Sequence, residues 1–121
     1  IDNFNITSNS RKIGALAGFT ENATIENVKV INSMVKGFRD VGILIGKTQG
    51  TTVKRVMTEG TVKGEMAVGG LIGSSSVSLS LENVYTNAKV DSTISHSGGV
   101  IGFTQNIVSM KSVYSTSAVT G

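Results

Sequence analysis

Gly69-Gly70-Leu71-Ile72-Gly73 is the stretch whose reading decides the fold, because the chain spells it four times. The other copies are Gly14-Ala15-Leu16-Ala17-Gly18, Gly42-Ile43-Leu44-Ile45-Gly46 and Gly98-Gly99-Val100-Ile101-Gly102, with successive starts 28, 27 and 29 residues apart. Working outward, each copy is followed at a similar offset by a second apolar block: Ile25-Glu26-Asn27-Val28, Val53-Lys54-Arg55-Val56, Leu81-Glu82-Asn83-Val84 and Met110-Lys111-Ser112-Val113. The opening Ile1-Asp2-Asn3-Phe4 reads as a divergent fifth copy of this block. A third block centres on Val35, Val62, Val90 and Val119. Three blocks that keep their order through successive copies define a repeat of about 28 residues, and such a period marks a solenoid.

Each column of the repeat has a physical reading. Val28, Val56, Val84 and Val113 are one residue four times, whereas the positions between the apolar columns change among Lys, Glu, Asn, Arg, Ser and Thr. Positions that stay apolar in every copy face a core, and positions that accept any polar residue face water. The blocks are too short and too β-branched for helices, and Gly37, Gly50, Gly60 and Gly64 interrupt any helical period. The expectation is an all-β, right-handed parallel β-helix of about four coils, with three short strands per coil, each followed by a turn. The coils run roughly 1–24, 25–52, 53–80 and 81–109, with a partial coil 110–121, in one domain that reads as a piece of a longer chain. One coil buries too little to fold alone, so stability must be shared across stacked interfaces. In the Gly-x-Leu-x-Gly block, a straight strand puts either Leu or its two neighbours inside; the Leu-in facing is preferred because it sets the flanking glycines inside too. Asn27, Arg55, Asn83 and Ser112 share a column and read as turn residues, and Ser74-Ser75-Ser76 reads as a surface loop.

The second and third blocks, together with Gly69 to Gly73, carry a family resemblance. Leu81-Glu82-Asn83-Val84-Tyr85 and Gly60-Thr61-Val62-Lys63-Gly64 resemble GLUG repeats, and the likeness runs from about Ile13 to Gly121. The chain departs from the pattern at Ala15 and Ile43, where the second Gly of the pair is replaced, and at Lys54-Arg55 in place of Glu-Asn. The resemblance implies a secreted, cell-wall-associated bacterial parent, Gram-positive by preference. Within it this region is a non-catalytic accessory module of an immunoglobulin A protease-like zinc metalloprotease, with an adhesin repeat binding a host protein or glycan as the alternative. The implied partners are a host protein such as immunoglobulin A, or other domains of the same chain.

Composition narrows the function further. Aromatic residues make up 5% of the chain, and a net charge of +3 is spread thinly, with Arg11-Lys12 and Lys54-Arg55 the densest basic pairs. Nucleic-acid binders cluster cations and add stacking aromatics, so no nucleic-acid partner is expected. No apolar run reaches 18 residues, so no membrane insertion is expected. His96 is the single histidine, which excludes a His-Glu-x-x-His zinc centre within these residues. Ser97-Gly98-Gly99 is explained by the repeat, and Asp40, Glu59, Glu65 and Asp91 read as isolated, solvated turn acids. Asn5-Ile6-Thr7 and Asn22-Ala23-Thr24 match a glycosylation pattern that arises often by accident. No catalytic residue, metal ligand or cofactor is therefore assigned. Tyr85 and Tyr114 share one column, one coil apart; together with Met57 they read either as simple wall packing, the preferred reading, or as a small exposed stripe for contact with a protein, and these three are the candidate contact residues.

Overall fold

A computed structural model describes residues 5–7, 11–105 and 108–120. The proposed Ile1–Phe4 copy and Gly121 lie outside the described residues. The described strands are β1 (Asn5–Thr7), β2 (Arg11–Ile13), β3 (Ala17–Glu21), β4 (Thr24–Lys36), β5 (Arg39–Gly42), β6 (Ile45–Gly69), β7 (Ile72–Gly98), β8 (Ile101–Thr104), β9 (Val108–Ser115) and β10 (Ala118–Thr120). Every pairing among them is parallel, and each joins residues one coil apart. The result is a parallel β-solenoid of about four turns, about 28 residues each.

The columns read from sequence are the registers of this stack. Ile25, Val53, Leu81 and Met110 pair in series, as do Val28, Val56, Val84 and Val113. Val35 pairs with Val62, Val62 with Val90, and Val90 with Val119. The same ladder begins one coil earlier, with Ile6 opposite Val35. In the middle coils these residues form the core: Val35, Val53, Val62 and Val90 are fully buried.

The straight-strand picture of the glycine block needs correction. Ile43, Leu44 and Ile45 are all fully buried, as are Leu71 and Ile72, so neither exclusive facing holds. The chain bends at Ile43-Leu44 and again at Gly70-Leu71, which suspends the alternation of faces and lets three successive residues reach the interior. The glycines after the bend lie where two walls converge. A Cβ on Gly73 would come within 2.3 Å of the Val41 backbone nitrogen, so the room they make is for opposing backbone.

The corners also differ from expectation. Turns between short strands are replaced by single residues in the left-handed conformation, and pairing continues through them, giving strands of 25 and 27 residues. Asn27, Arg55, Asn83 and Ser112 form one such corner column, with φ of 57°, 52°, 54° and 54°. Asn takes this conformation readily, so the turn reading of that column holds. Lys12, Asp40, Ala67 and His96 form a second, with φ of 60°, 56°, 53° and 60°. Asn22, Gly50 and Val77 form a third, at 49°, 62° and 63°.

Candidate functional site

Two outer features stand out on this frame: the stripe expected from sequence and a cleft at one corner. The stripe is a true ladder, since Lys29 pairs with Met57, Met57 with Tyr85, and Tyr85 with Tyr114. Met57 and Tyr85 are half-buried and Tyr114 is exposed. The Tyr85 hydroxyl lies 3.1 Å from Thr116 Oγ1, on the next coil.

The cleft has a volume of about 300 Å³ and spans three coils. One flank is the ladder Lys36–Lys63–Asp91, side by side in register. The other flank carries Phe38, Glu65 and Thr93. Glu65 N–H donates to the Phe38 carbonyl at 2.9 Å, which ties successive rungs of that flank together. The floor is the backbone of Gly37 and Gly64, and glycine is the reason it is low. A Cβ on Gly37 would come within 2.8 Å of Ile13 Cγ1 and 3.0 Å of Val41 Cγ2; one on Gly64 would meet Val68 Cγ2 at 2.8 Å. Without side chains the wall sinks against the core. The next coil has Ser92 at this place, whose hydroxyl donates to the Glu65 and Ser95 carbonyls at 3.0 Å. An extra residue between Ser92 and Ser95 shifts the register there, so Thr93 and Ile94 occupy the space that Glu65 fills alone below. Of the two, Thr93 lines the cleft.

A smaller notch, of about 80 Å³, opens beside Asp40 and is lined by Arg39, Lys47, Ser74, Ser75, Ser76, Phe103 and Gln105 as well. At two places along the corner column of Lys12, Asp40, Ala67 and His96, a residue meets the one seven positions on. Lys12 Nζ stands 4.9 Å from the Phe19 ring centroid, and His96 meets Phe103 edge-on at 4.8 Å between centroids. In the two coils between, the equivalent positions are Asp40 and Lys47, then Ala67 and Ser74, and Asp40, Lys47 and Ser74 line the notch. Ser74 and Ser75 are correspondingly not a surface loop: they are buried in β7, paired with Lys47 and Thr48 below and with Phe103 and Thr104 above. A run of serines reads as a turn by composition, yet a crowded column between larger neighbours also selects small side chains. Asp40 is likewise buried rather than solvated, at 8% exposure, because its corner is enclosed by the coils on both sides. Glu59, Glu65 and Asp91 are half-buried.

Two polar columns run through the interior of the described residues: Thr48 and Ser75, whose hydroxyls make no protein hydrogen bond, and Thr58 and Thr86, whose hydroxyls do. Thr58 Oγ1 lies 2.8 Å from Thr86 Oγ1 and 3.1 Å from the Gly70 carbonyl, so these two fully buried hydroxyls satisfy one another across coils. The exposed corner carries another: Arg55 reaches back one coil, its Nε donating to Asn27 Oδ1 at 2.7 Å and its other nitrogen to Glu26 Oε2 at 3.0 Å. Among the described residues no group of three or more His, Asp or Glu is placed to hold a metal, and no helix is long and apolar enough to cross a membrane.

Sequence reasoning named the ladder and missed the cleft. The adjacency of Lys36, Lys63 and Asp91 follows from the repeat offset and was available as a signal; the sinking of the floor at Gly37 and Gly64 was not.

Comparison with known proteins gives two likenesses. The chain is 34% identical over 71 residues to halomucin from Haloquadratum walsbyi, covering 59% of this chain and 1% of halomucin. It is 33% identical over 85 residues to an immunoglobulin A1 protease from Streptococcus pneumoniae, covering 66% of this chain and 4% of that protein. The chain thus spans a few per cent or less of each of these relatives. No family model matches it, and no solved structure matches it.

Proposed function

We propose that this chain is a non-catalytic solenoid module of a large secreted surface protein, acting as a spacer or substrate-positioning segment of an immunoglobulin A protease-like zinc metalloprotease. The observation that carries this reading is the likeness, over two thirds of the chain, to a small part of an immunoglobulin A1 protease. The form of the stack supports it. Columns of valine and leucine make a stiff rod with repeating outer faces, which suits holding other parts at a set distance. The resemblance of the repeats to GLUG sequences agrees with a cell-wall-associated, extracellular setting. The Met57–Tyr85–Tyr114 ladder is the face we assign to contact with a protein, either the substrate or another domain of the parent.

The test is made in the parent protease. Removing whole coils of this region is expected to slow cleavage of intact immunoglobulin A1 while leaving cleavage of a short hinge peptide unchanged. Equal rates on the intact substrate, with and without the coils, would refute a positioning role. Likeness to halomucin favours a second reading, a repeat module of an adhesin-type surface protein. That reading predicts many further tandem copies in the parent and no His-Glu-x-x-His sequence.

A further inference from the structure

We infer that the corner cleft floored by Gly37 and Gly64 is a binding site for a carboxylate-bearing sugar residue of a glycan. The first ground is charge. Lys36 and Lys63 stand on successive rungs of one ladder, their backbones about 4.8 Å apart, and both side chains are exposed. The nearest carboxylates in the cleft are those of Asp91 and Glu65, yet among the described residues none of these four groups forms an ion pair. Both cations can therefore converge on one ligand carboxylate.

The second ground is shape and chemistry. Phe38 is 37% exposed at the cleft edge and offers an apolar ring on which the C–H face of a pyranose can lie. Glu65 and Asp91 accept hydrogen bonds from sugar hydroxyls, and Thr93 can both donate and accept. The sunken backbone floor lets a flat ring settle close to the wall, since at Gly37 and Gly64 the chain lies directly against Val41 and Val68. A volume of about 300 Å³ matches the low end of small-ligand pockets and suits one sugar ring. Thr93 lines the cleft at the Asp91 coil, away from Lys36, so the ring is placed with its acid toward the lysines.

This site is independent of the spacer reading, since a rod can position a substrate without binding sugar and can bind sugar without a protease attached. The test is a titration of the isotopically labelled chain, followed by NMR, with N-acetylneuraminic acid, galacturonic acid, galactose and a zwitterionic tripeptide as probes. The expected result is amide shifts confined to residues 36–38, 63–65 and 91–93 with the acidic sugars, at roughly millimolar affinity. Galactose is expected to bind at least about tenfold more weakly, and Lys63→Ala to weaken the acidic sugars by a similar factor. Lys63 is exposed, so the variant is expected to keep its melting temperature, and Phe38→Ala provides a second variant on the opposite flank. Three results would overturn the assignment: shifts outside the cleft or none, equal binding of galactose, or preference for the tripeptide. Acidic-sugar binding unaffected by either variant would overturn it as well.

Discussion

The middle coils and the outer coils have the same repeat and very different interiors. Leu44 and Leu71 are fully buried, whereas Leu16, in the same column, is 42% exposed. Val62 and Val90 are sealed, but Val119 is 44% exposed, and Met110 is 51% exposed where Val53 and Leu81 are buried. Nothing in the residue types accounts for this, since the columns are chemically uniform. Within residues 1–121 the difference lies in the number of stacked neighbours: a side chain with coils on both sides is enclosed, and one with a single neighbour in this stretch is not. Burial in this fold therefore belongs to the stack rather than to the coil.

The largest effect should come from removing the same atoms at both places. Leu44→Ala is expected to cost roughly 2–5 kcal/mol, because its coil has no freedom to close the cavity, while Leu16→Ala should cost under about 1 kcal/mol. Urea unfolding of the two variants measures the gap, and equal losses would break the comparison. A smaller contrast concerns the paired glycines. A Cβ on Gly70 would stand 2.1 Å from the Gly99 carbonyl, which is backbone, whereas one on Gly99 first meets the Ser115 hydroxyl at 2.6 Å. Gly70→Ala is expected to cost about 1–3 kcal/mol and Gly99→Ala less, since a hydroxyl in an outer coil can rotate away.

The buried hydroxyl ladder sharpens the point by a double-mutant cycle. Val30 occupies the same column as Thr58 and Thr86, so the column accepts an apolar side chain of that shape. Thr86→Val alone should destabilise by about 1 kcal/mol, and the Thr58→Val/Thr86→Val pair by less than the sum of the singles, because the pair leaves no orphaned hydroxyl. The smallest effect is a gain. Val77 is β-branched and left-handed in a column otherwise made of Asn22 and Gly50. Val77→Asn is expected to raise stability by up to about 1 kcal/mol, read as a higher melting temperature.

These contrasts also explain what could be read from the chain itself. The apolar ladders were legible because each repeats one chemical character at one offset, as in Ile25, Val53, Leu81 and Met110. The Asn27 corner was legible for the same reason, two of its members being Asn. The corner of Lys12, Asp40, Ala67 and His96 was not, because its members share a backbone conformation and no side-chain chemistry. Ile6, which pairs with Val35, is not legible in this way, because reading Ile1-Asp2-Asn3-Phe4 as a copy of the Ile25 block leaves Ile6 out of the Val35 column. The glycine block misled through an assumption of straightness; a bend at its centre leaves no trace in hydrophobic alternation. At the cleft, the charges were visible and the depth was not, since depth depends on Val41 and Val68 lying behind two glycines.

Parallel, in-register stacking of successive coils is tested most directly by proximity on the outer face. The chain has no native cysteine, so pyrene labels can be placed by substitution at Lys54 and Glu82, which pair one coil apart, and at Lys54 and Lys89 as the displaced control. Stacking predicts strong, concentration-independent excimer emission from the 54/82 pair and monomer emission from the 54/89 pair. Excimer from the displaced pair, or none from the paired one, would contradict it.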